Sequence, residues 1–245
     1  MPLPKTPLHS TPSPNGHTKI VVESRLRLPP DCSPFVLLLA ASKGNTGKST
    51  LAINLAVAAV CGGLRTLVID TDIEHGQQTC VTWSQVRKDP APHAIPARLT
   101  RAPEAIAWAK RKGFEFIVID TAGRDLVALP AVTAAAHFML TPSQPSPADL
   151  AATAPMRRLW AQGTTQAAIV LNCVTRGNTD RTRSYLRRYA VLGSILPSVV
   201  ARRVQYIDAQ DHGLGVSEYQ PGGAEDLEMR TLLDGILSRV AGRRS

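Results

Sequence analysis

Cysteine is scarce: Cys32, Cys61, Cys80 and Cys173 are scattered, with no C-x-x-C spacing, so neither a disulfide framework nor a zinc site is indicated. They are expected to be reduced packing residues of a cytosolic protein. No apolar run reaches the roughly 18 residues needed to cross a bilayer, and the Pro/Ser/Thr-rich start lacks the apolar core of a secretory leader. A soluble chain is expected. Aromatic residues make up only 4%, without the aromatic–basic interleaving that stacks single-stranded nucleic acid. Acidic residues are outnumbered, 19 against 28 Lys and Arg, and the resulting charge of +9 points to a polyanionic partner. Arg exceeds Lys 21 to 7, a bias that a GC-rich genome also produces, so the location of the charge says more than its total. No internal repeat is visible.

A chain of 245 residues with 44% hydrophobic content suits one α/β domain with a short extension. Seven prolines among Ser, Thr and Asn mark residues 1–33 as a largely disordered arm, with an extended contact over Ile20–Leu28. From residue 34 to 245, apolar β-type runs alternate with helical stretches. The runs are Phe35–Ala41, Thr66–Asp70, Phe116–Asp120, His137–Thr141 and Ala167–Asn172, with a weaker candidate at Ala190–Leu196. Such alternation predicts a mostly parallel, doubly wound sheet with helices on both faces.

Three strand ends carry chemistry. Lys43-Gly44-Asn45-Thr46-Gly47-Lys48-Ser49-Thr50 follows the first strand and opens a helix near Lys48. Successive loop amides and a helix N-terminus make a phosphate cradle, with Lys48 for the β/γ-phosphates and the Ser49 hydroxyl for Mg²⁺. The second run ends in Asp70-Thr71-Asp72, two carboxylates on one side of a strand end, where open α/β sheets bind ligands. The third run, Phe116–Asp120, is the second acidic strand end; it places Asp120 to accept from Mg²⁺-bound water, and Gly123 follows as a candidate switch. Helix-capping aspartates remain the alternative for the Asp70/Asp72 pair.

These residues resemble the ParA/MinD superfamily of deviant Walker A ATPases, most closely small plasmid-type ParA partition proteins. Lys43 stands where that family carries a lysine that crosses a dimer interface to the partner's phosphates. Asn45 replaces a family glycine, and Asn is the non-glycine residue that best tolerates a positive φ. The resemblance implies a P-loop NTPase fold, binding of ATP/ADP and Mg²⁺, and weak ATPase activity with Lys43, Lys48 and Asp72 as catalytic residues. Asp72 would orient the attacking water, Gly123 would meet the γ-phosphate, and Asn172 would read the adenine, although Asn is also an ordinary strand-end residue. Ile73 and Glu74 depart from the usual Pro-Gln and leave the hydrolysis rate open.

Basic charge concentrates between Arg157 and Arg203, opposed by Asp180 alone. A helix capped by Asn178 or Thr179 would turn Tyr185, Leu186 and Tyr189 inward, with arginines along both edges. A solvated rim is one reading. The resemblance supplies the other: Arg176, Arg181, Arg183, Arg187, Arg188, Arg202 and Arg203 would bind duplex DNA non-specifically. It further implies an ATP-dependent homodimer, a ParB-like adaptor that stimulates hydrolysis, and a nucleoid-associated, bacterial cytoplasmic protein. A MinD-like membrane organiser is the alternative; its anchor would be the periodic helix containing Leu227, Leu233, Ile236, Leu237 and Val240, expected instead to pack on the sheet.

Overall fold

The protein is described here from a computed structural model covering residues 25–73, 78–123, 128–163 and 165–242. Most of the predicted arm, Glu74, Arg243 and Arg244 lie outside the described residues.

The first strand, β1 (Phe35–Leu39), is buried on both faces, as expected for an uninterrupted apolar run at the centre of a parallel sheet. Its alternation divides the core. Phe35, Leu37 and Leu39 join one apolar cluster, while Val36 and Leu38 join the other. The chain continues through α1 (Lys48–Cys61), β2 (Thr66–Asp70), α2 (Thr79–Val86), β3 (His93–Pro96), α3 (Ala102–Arg111), β4 (Phe116–Asp120) and α4 (Leu129–Ala135). It closes with β5 (Phe138–Ser143), α5 (Pro147–Thr153), α6 (Met156–Gln162), β6 (Gln166–Val174), α7 (Thr179–Ala190), β7 (Ile195–Ala201), α8 (Gln205–Asp211), α9 (Val216–Tyr219) and α10 (Ala224–Gly242).

The seven strands lie in the order β3-β2-β4-β1-β5-β6-β7, and every described pairing is parallel. Succession reverses around β1, which pairs with β4 on one side and β5 on the other. A crevice therefore opens beyond the carboxyl ends of these strands, the place where doubly wound sheets bind ligands. Helix α1 starts at that crevice and is buried along most of its length, with Leu51, Ile53, Leu55 and Val57 all inaccessible. Its buried Asn54 accepts from the Val216 amide at 2.8 Å, tying α1 to α9.

Three sequence expectations change. The weak strand candidate at Ala190–Leu196 starts too early: α7 runs through Ala190 and β7 occupies Ile195–Ala201, so the two share only Ile195 and Leu196. Edge strand β3 went unrecognised, since its four residues are half-exposed and end in proline. Residues 25–33 also belong to the body rather than to the arm: Leu26 donates to Gly62 O at 2.7 Å and Cys32 is buried in the core.

Leu233, Ile236, Leu237 and Val240 of α10 are buried in the main apolar cluster, while Leu227 is exposed. The helix packs on the sheet, as its periodicity predicts. Among the described residues, no helix is long and apolar enough to cross a membrane.

Candidate functional site

The loop between β1 and α1 wraps a cavity of about 740 Å³. Asn45 adopts φ 59°, which meets the sequence expectation that Asn serves a left-handed position there. Gly47 follows at φ 91° as the N-cap of α1. A side chain at Gly47 would strike the Asn172 amide, so glycine is required by space as well as by conformation. Two long-range bonds brace the loop: Asn172 Nδ2 to Thr46 O and Gln144 Nε2 to Asn45 O, each at 2.8 Å.

Lys48 is nearly buried, and among the described residues its ammonium has one weak bond, to Lys43 O at 3.3 Å. Burial pushes its pKa down, while Asp120 and Asp72 pull it back up. The charge is thus held in place with little to satisfy it. Nearby, Thr46 Oγ1 is buried without a hydrogen-bond partner among the described residues.

The acidic residues divide the work. Asp70, fully buried, accepts from the Cys80 and Val81 amides at 2.9 and 3.2 Å and from the Asp72 amide at 3.1 Å. It therefore caps α2, so the capping alternative applies to this member of the pair. Asp72 lines the cavity with Lys48 and Ser49. Asp120, at the end of β4, is pushed up to about 6 by burial, and Asp70 adds repulsion. The Ser49 hydroxyl, the Cys80 thiol and the Lys48 charge act in the opposite direction. Cys80 Sγ donates to Asp120 Oδ2 at 3.4 Å, and burial keeps that thiol protonated. The other oxygen, Oδ1, makes no hydrogen bond of normal geometry among the described residues. A buried carboxylate with one oxygen unpaired, beside a Ser hydroxyl and an ammonium, suits a hydrated divalent cation and phosphate, so the residues fit Mg²⁺ and a nucleotide.

Gly123 lies over the loop: a Cβ there would come within 2.8 Å of Lys43 O and 2.9 Å of Gly44 N. Only glycine permits that approach. Lys43 itself is partly exposed and pairs with Asp149 Oδ2 at 3.0 Å. Sequence reasoning did not single out Asp149, although Ser146 three residues before it is a recognisable helix cap.

Two of the expected site residues are held by partners of their own. Asn172 is 4% exposed and gives its amide to the loop, so it acts as a brace behind the cradle; its neighbour Cys173 lines the cavity instead. Arg203 donates to Glu225 and Glu228 at 2.7 and 2.6 Å and its side chain is 11% exposed, so it is an internal tie between the end of β7 and α10. The remaining arginines expected to meet DNA are exposed. Asn178 caps α7, Tyr185 and Tyr189 are buried, and Arg181 and Arg188 both stack over Tyr185.

Residues 37–216 match the family described as the CobQ/CobB/MinD/ParA nucleotide binding domain. The maintenance of carboxysome distribution protein A of Gloeobacter kilaueensis is 33% identical over 124 residues, 50% of this chain and 55% of that protein. The match thus spans about half the length of that curated relative. The cell division ATPase MinD of Pyrococcus furiosus superposes with a TM-score of 0.67 at 18% identity, covering 84% of this chain and 99% of its own. MinD of Pyrococcus horikoshii, solved with Mg-ADP, gives 0.65 at 15% identity, covering 86% and 98%. With the phosphate-loop geometry and a match across more than half of its length, the chain belongs to the CobQ/CobB/MinD/ParA family of nucleotide-binding domains.

Proposed function

We propose that the protein is a ParA-type ATPase that binds Mg-ATP, dimerises around it, and positions a cargo on DNA. The observation that carries this reading is the phosphate-loop cavity lined by Lys48, Ser49, Asp72 and Gly123, with the buried Asp120 close enough to act on the Lys48 charge. Lys48 would hold the β/γ-phosphates, with Ser49 and Asp120 on either side of the cation. Mg²⁺ would supply charge neutralisation of the phosphates. The Gly123 amide would meet the γ-phosphate, and Asp72 would orient the attacking water. Lys43 would leave Asp149 and reach the phosphates of a second copy.

In this reading the exposed arginines of α7, with Arg176 and Arg202, contact DNA phosphates without regard to sequence. An adaptor protein stimulates hydrolysis and releases the dimer in a bacterial cytoplasm, on the nucleoid. The cargo is plasmid or chromosomal DNA, or a protein assembly; the relative named for carboxysome distribution favours the assembly. Burial of the α10 apolar face weighs against the membrane-organiser alternative.

The test is nucleotide binding and phosphate release with defined variants. Lys48→Ala should abolish ATP binding, and Asp72→Ala should bind ATP and dimerise yet release little phosphate. Wild-type turnover by Asp72→Ala would remove that residue from the mechanism.

A further inference from the structure

A second hollow of about 450 Å³ lies at the other end of the sheet. Gln166, which begins β6, and Ser194, just before β7, line it. The nucleotide cradle is braced from Asn172 near the opposite end of β6, so the two sites stand about 20 Å apart along that strand. The hollow therefore lies outside the nucleotide site and stands independently of the function proposed above.

Its chemistry is one-sided. Arg157 and Arg239 contribute guanidinium groups, and among the described residues no carboxylate lines the hollow. Arg157 is exposed and has no side-chain partner among the described residues. Arg239 is fixed by bonds to Ser194 Oγ and Ile195 O, but neither neutralises its charge. Trp160 Nε1 is buried and makes no hydrogen bond among the described residues. An indole N–H can only donate, so it stands unpaired behind the wall that its ring lines. The ring is held by close packing on Gly193, where a Cβ would lie 2.8 Å from two ring carbons. Thus the Trp160 ring and Arg239 are set in place before any ligand arrives, while Arg157 is free to turn toward it.

We infer that this hollow is a docking site for an acidic peptide segment of a partner protein, with a carboxylate set against the two guanidinium groups beside the Trp160 ring. Arg pairs carboxylates through two parallel donors, which suits a side chain entering a concave site. The Trp160 ring and Leu192 supply apolar wall for an aliphatic neighbour in the same peptide. Duplex DNA fits less well, since its phosphates lie on a convex surface and cannot bring an apolar group with them.

The experiment uses the full chain labelled with ¹⁵N. Its three tryptophans give separate indole signals, and Trp160→Phe identifies the relevant one. The probe is an acetylated, amidated Glu-Glu-Leu-Glu-Glu peptide. It should move the Trp160 signal while leaving those of Trp83 and Trp108 in place, and the Lys-for-Glu counterpart should not. Arg157→Glu should weaken binding by about tenfold or more, the loss of a charge-assisted contact, while ATP binding stays unchanged. The inference is overturned if the peptide leaves the Trp160 signal unmoved, if Arg157→Glu binds it like wild type, or if a DNA duplex or inorganic phosphate shifts the signal as strongly.

Discussion

Asp120 shows the cost of holding a carboxylate in a buried site. Its folded-state pKa of about 6 lies above the ordinary 3.8, so the folded protein binds this proton more tightly than the unfolded chain. The contribution to stability is therefore full below 3.8 and is lost as pH rises through about 6. At neutral pH, without nucleotide, the ionised group costs up to about 3 kcal/mol. Asp120→Asn keeps the shape and removes the charge. It should raise the stability of the nucleotide-free protein at pH 7 by about 1 to 3 kcal/mol, with the gain vanishing near pH 4, while Mg²⁺-dependent nucleotide binding falls. Chemical denaturation at the two pH values checks this, and a destabilised variant at pH 7 would contradict the assigned strain.

Lys43 and Asp149 join two elements, the phosphate loop and α5. Asp149 is almost buried and takes both the Lys43 ammonium and the Ser146 hydroxyl. Its own amide donates to Ser146 Oγ at 3.1 Å, completing the cap of α5. A lysine that must reach another subunit first has to leave this carboxylate. Asp149→Asn weakens the pair with little change of shape. ATP-dependent dimers should then form at a protein concentration about two- to fivefold lower, in keeping with a half-exposed ion pair worth under about 1 kcal/mol. Lys43→Ala should retain ATP binding and lose the dimer. Sedimentation with ATP measures both, and a normal Lys43→Ala dimer would exclude a role for Lys43 between subunits. The elements themselves were largely legible: the central strands are uninterrupted apolar runs ending in Asp70 and Asp120, and Asn178 caps α7 as its residue type suggests. What escaped depended on distant partners. The tie from Arg203 to α10, the bond from Asn172 to the loop and the thiol of Cys80 on Asp120 join residues far apart in sequence, and residue type alone does not encode them.

Across the whole molecule, the arginines sort into those that serve the fold and those that face solvent. Arg203 is paired twice, and Arg87 is clamped by Glu218 beneath the exposed surface. Arg183 and Arg187 remain exposed on α7, and Arg183 has only a surface pair with Asp180. If they contact duplex phosphates, binding should fall with salt along a log–log slope of about −0.9 per phosphate neutralised. A dimer presents each residue twice, so two weak monomer surfaces become one footprint and binding should appear only with ATP. Replacing Arg183 and Arg187 together by alanine should therefore flatten the slope by up to about four units in the dimer, with dimerisation intact. Arg203→Gln supplies the contrast. It should lower thermal stability, because Glu225 and Glu228 lose a buried partner, yet leave the salt slope of the folded protein unchanged. Filter binding of a random-sequence duplex across a salt series separates these outcomes. An unchanged slope in the α7 double variant would make those arginines a solvated rim, and a flattened slope in Arg203→Gln would return that residue to the DNA surface.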